Sequence, residues 1–146
     1  MEQIISKNLK RYNQFVSGID ATYHEISYKL KISDSAMVIL YTICNYGKKC
    51  ALKTICYESG LSKQTINSSL RKLEKEEIIF LENSDLKRKM VCLTAKGEEL
   101  TQNTALKLLK LENEIFDSWD EKDVNKYLEF TERFLNDLKK KVKDIN

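Results

Sequence analysis

Residues 60–100 read GLSKQTINSSLRKLEKEEIIFLENSDLKRKMVCLTAKGEEL, and the fold is decided within this stretch. Ser62 is placed to cap a helix whose inward stripe is Ile66, Leu70 and Leu73, spaced by four and three. Residues 78–81 read as a short apolar strand, Asn83, Ser84 and Asp85 as a turn, and 89–94 as a returning strand. Working upstream, residues 35–46 predict a helix with Asp34 as its cap and Gly47 just past its end. Leu52–Glu58 predicts a short helix that stops before Ser59 and Gly60. Helix, glycine-containing turn, capped helix and hairpin together outline a winged helix-turn-helix with a two-stranded β wing.

If Ile66, Leu70 and Leu73 face inward, a rotation of about 100° per residue fixes the opposite face. That face shows Lys63, Gln64, Asn67, Ser68 and Arg71, with Thr65 near the N-terminal edge. No acid occurs between Ser59 and Lys72, and the first is Glu74 at the far end. A merely solvated helix usually mixes Glu and Lys along its exposed side. Cations, amides and hydroxyls without acids instead suit phosphates and base edges in a major groove. The hairpin tip adds Lys87, Arg88 and Lys89, cations that can enter a minor groove or grip phosphates.

The ends of the chain follow a different rhythm. Ile5, Leu9, Tyr12, Val16, Ile19, Tyr23, Ile26 and Leu30 advance by alternating fours and threes, an unbroken heptad seam. Val124, Leu128, Thr131, Leu135, Leu138, Val142 and Ile145 repeat it, with Asp120 as a cap and Asp123 as a capping-box acid. Leu100, Thr104, Leu108, Leu111 and Ile115 predict one more continuous helix. Tyr127, Phe130 and Phe134 widen the last apolar face beyond a simple seam. Long apolar helices at both ends leave little compact domain to cover them, which favours a homodimer over intrachain packing. The expected organisation is one domain, 1–146, mainly α, with dimerisation helices at 1–33 and 98–146 and a DNA-binding lobe at 34–97.

Composition removes several alternatives. The four glycines stand at least 13 residues apart, which excludes a dinucleotide fingerprint and a P-loop. The single histidine, His24, sits in a strongly helical stretch and reads as a half-buried packing residue rather than a catalytic base. Cys44, Cys50, Cys56 and Cys92 form no Cys-x-x-Cys pair, so no metal site and no cofactor are expected. The longest uncharged run, residues 35–47, is too short to span a bilayer, and charges interrupt the first turns of the chain. A cytoplasmic protein with reduced thiols and no membrane partner is expected. The net charge of +3 is unevenly spread: residues 48–96 carry 11 basic against 6 acidic side chains, while 97–146 carry 9 against 12. A basic middle points to a central surface that faces an anion.

At these residues the sequence resembles the MarR family of bacterial transcriptional regulators, along nearly the whole chain. Residues 61–66, LSKQTI, resemble the entry to that family's recognition helix, and 73–75, LEK, its end. Asp85 and residues 93–97, LTAKG, resemble the wing and the start of the next helix. The chain departs from the family at Glu77, where Gly is usual. It departs again in the wing, where Asp85 is followed by Leu86, Lys87 and Arg88, leaving the minor-groove contact to either cation. The resemblance implies a regulator, a repressor by expectation, whose terminal helices intertwine in a homodimer on double-stranded DNA. It also implies a cleft for a small aromatic or amphipathic effector, with Tyr12, Phe15, Ile19, Tyr23, His24 and Tyr41 placed to line it. A twofold dimer calls for a pseudo-palindromic operator. Two other readings stand beside this one: a winged helix turned to protein interaction, and a thiol sensor using Cys56. An enzyme fits least.

Overall fold

The computed structural model describes residues 4–84 and 88–146. The first helix, α1 (Lys7–Lys29), starts where the Ser6 hydroxyl accepts from the Leu9 N–H at 3.0 Å. It stops at Lys31, whose φ of 58° is left-handed. Lys31 donates to the Tyr28 carbonyl and Ile32 to that of Ser27, the two bonds of a Schellman turn. Next, α2 (Asp34–Cys44) is capped by Ser33, which accepts from the Ala36 N–H, and not by Asp34 as expected. Both residue types cap well; Ser33 holds the extended backbone that a cap needs, and Asp34 falls inside the first turn.

Strand β1 (Lys49–Ala51) then leads into α3 (Leu52–Glu58), α4 (Lys63–Lys75), and the hairpin of β2 (Ile79–Asn83) and β3 (Lys89–Leu93). The wing hairpin is present, and β1 adds a third strand that the sequence reading missed. Strand order is β1-β3-β2, all antiparallel, with both Cys50 and Leu81 paired to Val91. Three residues beginning with lysine carry no alternation of their own; pairing with a strand some 40 residues away makes β1 a strand.

The core is built by the elements that surround α4. Ile39, Leu40 and Ile43 of α2, Ile55 of α3, Ile66 of α4, Ile79 of β2 and Val91 of β3 are all fully buried. At about 1.5–3 kcal/mol for each such side chain, this cluster fixes the orientation of α4 more firmly than its own helix propensity could.

After β3 come α5 (Ala95–Asn103), α6 (Ala105–Asp117) and α7 (Glu121–Val142). The continuous helix expected across Leu100–Ile115 positions is broken at Thr104, with φ −129° and ψ −87°. Thr104 is buried, and its hydroxyl donates to the Leu100 carbonyl at 2.7 Å. The helical spacing of fours and threes runs through the break, which is why periodicity alone could not detect it.

Residues up to Leu109 form one compact unit and 110–146 a second. In the second, Phe116, Trp119 and Tyr127 cluster with ring centroids 5.6–6.2 Å apart. Asp120 takes the N-cap position of α7 without a side-chain capping bond, and Asp123 contributes its backbone N–H to the Asp120 carbonyl. None of the residues of α7 is buried. Among the described residues, no helix is long and apolar enough to cross a membrane.

Candidate nucleic-acid interface

The inward stripe of α4 is Ile66, Leu70 and Leu73, all buried, as the spacing requires. Lys63, Gln64, Thr65, Asn67, Ser68 and Arg71 are all exposed. Ser62 is the N-cap: its hydroxyl accepts from the Thr65 N–H at 3.2 Å and donates to the Thr65 hydroxyl at 2.8 Å. One sequence-predicted contact, Thr65, is therefore partly engaged in holding the helix start. Arg71 turns back along the helix, its Nε donating to the Asn67 carbonyl at 3.4 Å. Lys63, Gln64 and Ser68 make no such internal bonds among the described residues, so their polar atoms stay available. Ser69, midway between the two faces, donates to Ser35 of α2 at 2.7 Å and sets the helix's roll.

The C-terminus of α4 is closed by a residue other than glycine in a left-handed conformation. Glu77 has a φ of 61°, the conformation glycine would adopt at no steric cost. Glu77 donates to the Glu74 carbonyl and Ile78 to that of Leu73, a second Schellman turn. The turn keeps its shape because α5 holds it from outside. The Thr94 hydroxyl donates to the Glu77 and Ile78 carbonyls, and the Lys96 ammonium donates to the Glu76 carbonyl at 2.9 Å. Thr94 also caps α5 by accepting from the Gly97 N–H. Residues 93–97 thus join α4, the wing and α5 in one place.

At the wing, Arg88 is exposed, and its backbone closes the hairpin mouth through bonds to Ser84. Lys87, the other cation considered for the minor groove, lies outside the described residues.

The candidate effector residues fall into two groups. Tyr12, Phe15, Ile19 and Tyr23 are exposed along α1, Phe15 most of all at 61% and with the Arg11 guanidinium 5.8 Å from its ring centre. Tyr41 of α2 is half-buried against the core. His24 is not the half-buried packing residue its sequence position suggested. It is exposed, and its Nδ1 lies 2.6 Å from the Asp34 carboxylate, which joins α1 to the first turn of α2. Twelve helical residues separate Tyr12 from His24, about 18 Å of axis, so one small pocket could take in only one end.

All four cysteines are free thiols. Burial pushes Cys44 up to about 11, and burial first, then nearby carboxylates, raises Cys50 and Cys92. Those three thiols are therefore poorly suited to redox sensing; Cys56, the thiol named from the sequence, is partly buried against the core.

No family model and no curated protein matches the sequence. Solved structures do match the fold. A MarR family regulator from Neisseria meningitidis superposes with a TM-score of 0.81 at 15% identity, covering 95% of this chain and 99% of that one. A MarR/EmrR family regulator from Acinetobacter sp. ADP1 gives 0.74 at 16% identity, covering 93% and 99%. MarR from Staphylococcus aureus, in complex with salicylate and kanamycin, gives 0.66 at 22% identity, covering 91% and 93%. The chain has the winged-helix fold of MarR family transcriptional regulators.

Proposed function

We propose that this chain is a cytoplasmic MarR-type transcriptional regulator that binds double-stranded DNA as a homodimer and acts as a repressor. The observation that carries the reading is the exposed, acid-free face of α4, held rigid by a capped start and a buried stripe. Gln64 and Asn67 read base edges, Lys63, Thr65, Ser68 and Arg71 position the helix on phosphates, and Arg88, with Lys87, serves the wing. The apolar positions left exposed on α1 and α7 support the dimer, since isolated helices of that kind would associate in water. Residues 1–33 and 98–146 form the dimerisation part and 34–97 the DNA-binding lobe. A small aromatic or amphipathic effector, bound at one end of the set Tyr12, Phe15, Ile19, Tyr23, His24 and Tyr41, would change the spacing of the two recognition helices. The salicylate complex of the staphylococcal neighbour supports that chemistry.

The test is selection of bound genomic fragments by the purified full chain. Enriched sites should be pseudo-palindromes with half-site centres one turn apart, roughly 10–10.5 base pairs or 34–36 Å. Insertion of about five base pairs puts one half-site on the far face and should reduce binding to the non-specific level. Tight binding to single asymmetric half-sites, indifferent to spacing, would sink the model.

A further inference from the structure

Pairing of β1 with β3 sets Ala51 opposite Met90, which brings the start of α3 beside the root of the wing. Between them lies an open cleft of about 540 Å³. Lys53 and Thr54 come to it from α3, and Arg88 and Lys89 from the wing, while Leu52 and Cys56 form its apolar wall. Three cations and a hydroxyl thus converge from two elements far apart in sequence. Among the described residues, no carboxylate lies within ion-pair distance of Lys53, Arg88 or Lys89. Elsewhere on the same unit exposed lysines do find acids, as Lys48 finds Glu98 at 3.0 Å and Lys29 finds Glu25 at 3.3 Å. Three cations without an acidic partner among the described residues suit an anionic oxygen group, whose charge offsets their mutual repulsion.

We propose that this cleft holds a phosphate of the DNA backbone, a contact separate from base reading by α4 and shared with the base of the wing. The proposal rests on the DNA-binding reading and adds Lys53 to it, a residue on neither the recognition helix nor the wing. Lys53 and Lys89 supply point charges and Arg88 a planar fork that matches two phosphate oxygens. The contact is blind to sequence. It anchors the lobe at the groove edge and sets the register in which Gln64 and Asn67 meet the bases.

Lys53 is exposed, so its replacement leaves the core intact. Binding of the full chain to a selected operator fragment and to a random duplex should be titrated across salt concentration. Lys53→Gln should weaken both by a similar factor and reduce the slope of log K against log salt by about 0.9, the loss of one phosphate contact, while Lys53→Arg should restore it. Cys56 gives a second readout. DNA should slow its alkylation by iodoacetamide in the wild type, and inorganic phosphate at millimolar concentration should protect far less. An unchanged salt slope in Lys53→Gln, with wild-type DNA binding intact, would overturn the cleft and leave the regulator standing. Equal protection by inorganic phosphate and DNA, with that unchanged slope, would assign the cleft to a free anion and overturn the backbone contact. Absence of wild-type binding to any duplex would overturn both.

Discussion

Gly97 in the first turn of α5 lies against the backbone of Ile78, so close that a Cβ built there would stand 2.0 Å from the Ile78 carbonyl oxygen and 3.0 Å from its carbon. The obstacle is backbone, at the residue that closes the α4 turn and precedes β2. Gly97→Ala should therefore push α5 off the wing root. The expected cost is about 2–3 kcal/mol, at the upper end of overpacking effects, read as a lower urea midpoint with an unchanged slope. Wild-type stability in this variant would show that the contact yields freely.

Glu77 invites the opposite change. A side chain in the left-handed region costs roughly 1–2 kcal/mol, and glycine returns part of that gain through its freer unfolded chain. The bonds from Thr94 and Lys96 go to backbone carbonyls, so Glu77→Gly leaves them in place. It should stabilise the protein by about 0.5–1 kcal/mol. A lower thermal midpoint would show that the carboxylate itself has a role in the turn.

Gln64→Ala or Asn67→Ala should reduce discrimination between operator and random DNA by about 1–3 kcal/mol per lost bidentate pair, with non-specific affinity largely kept. Competition binding at one fixed salt concentration measures this. Equal losses on both DNAs for Asn67→Ala would contradict base reading.

Deleting residues 120–146 removes a helix with Leu128, Phe130, Phe134, Leu135 and Leu138 about half exposed. Sedimentation should find the full chain dimeric at micromolar concentration and the truncated chain monomeric or aggregated, without specific DNA binding. Trp119, the only tryptophan, sits in the aromatic cluster and reports the change by fluorescence. A monomeric full-length chain would end the dimer argument.

The Cys44 thiol is raised by burial from 9.0 to about 11. Below about pH 9 both folded and unfolded chains keep this proton, and its contribution to stability is complete. Between pH 9 and 11 the unfolded chain releases it first, so stability falls as pH rises. Because Cys44 is only half-buried, the loss should be on the order of 1 kcal/mol rather than the full value for two pKa units. Urea titrations at pH 8.5 and 11 on wild type and Cys44→Ala isolate it; an identical pH dependence in both would remove Cys44 as the cause.

The helix α4 was legible because its information is local. Ser62, the Ile66, Leu70 and Leu73 stripe and the acid-free face all lie within thirteen residues, and helix geometry alone converts them into directions. The missed features depend on distant parts of the chain. Lys49, Cys50 and Ala51 are a strand only because β3 lies beside them, and that same pairing creates the Lys53, Arg88 and Lys89 cleft. Thr104 breaks a helix without disturbing its spacing, and His24 finds Asp34 ten residues on, across a turn no periodicity describes. Ser33 and Asp34 are equally good caps on paper, and backbone conformation decided between them.

The bonds that tie α5 to the end of α4 also make a lever. With Thr94 and Lys96 gripping the carbonyls of residues 76–78, and Gly97 seated on Ile78, α4 has its fulcrum at its C-terminus. Its 13 residues give an arm of about 20 Å, so a tilt of roughly 5° at α5 swings Lys63 and Gln64 by about 1.7 Å. Hydrogen bonds to bases tolerate only about 0.5 Å of variation in length. On the proposed DNA-binding reading, a rotation of that size is enough to lift the reading end of the helix out of register with its operator.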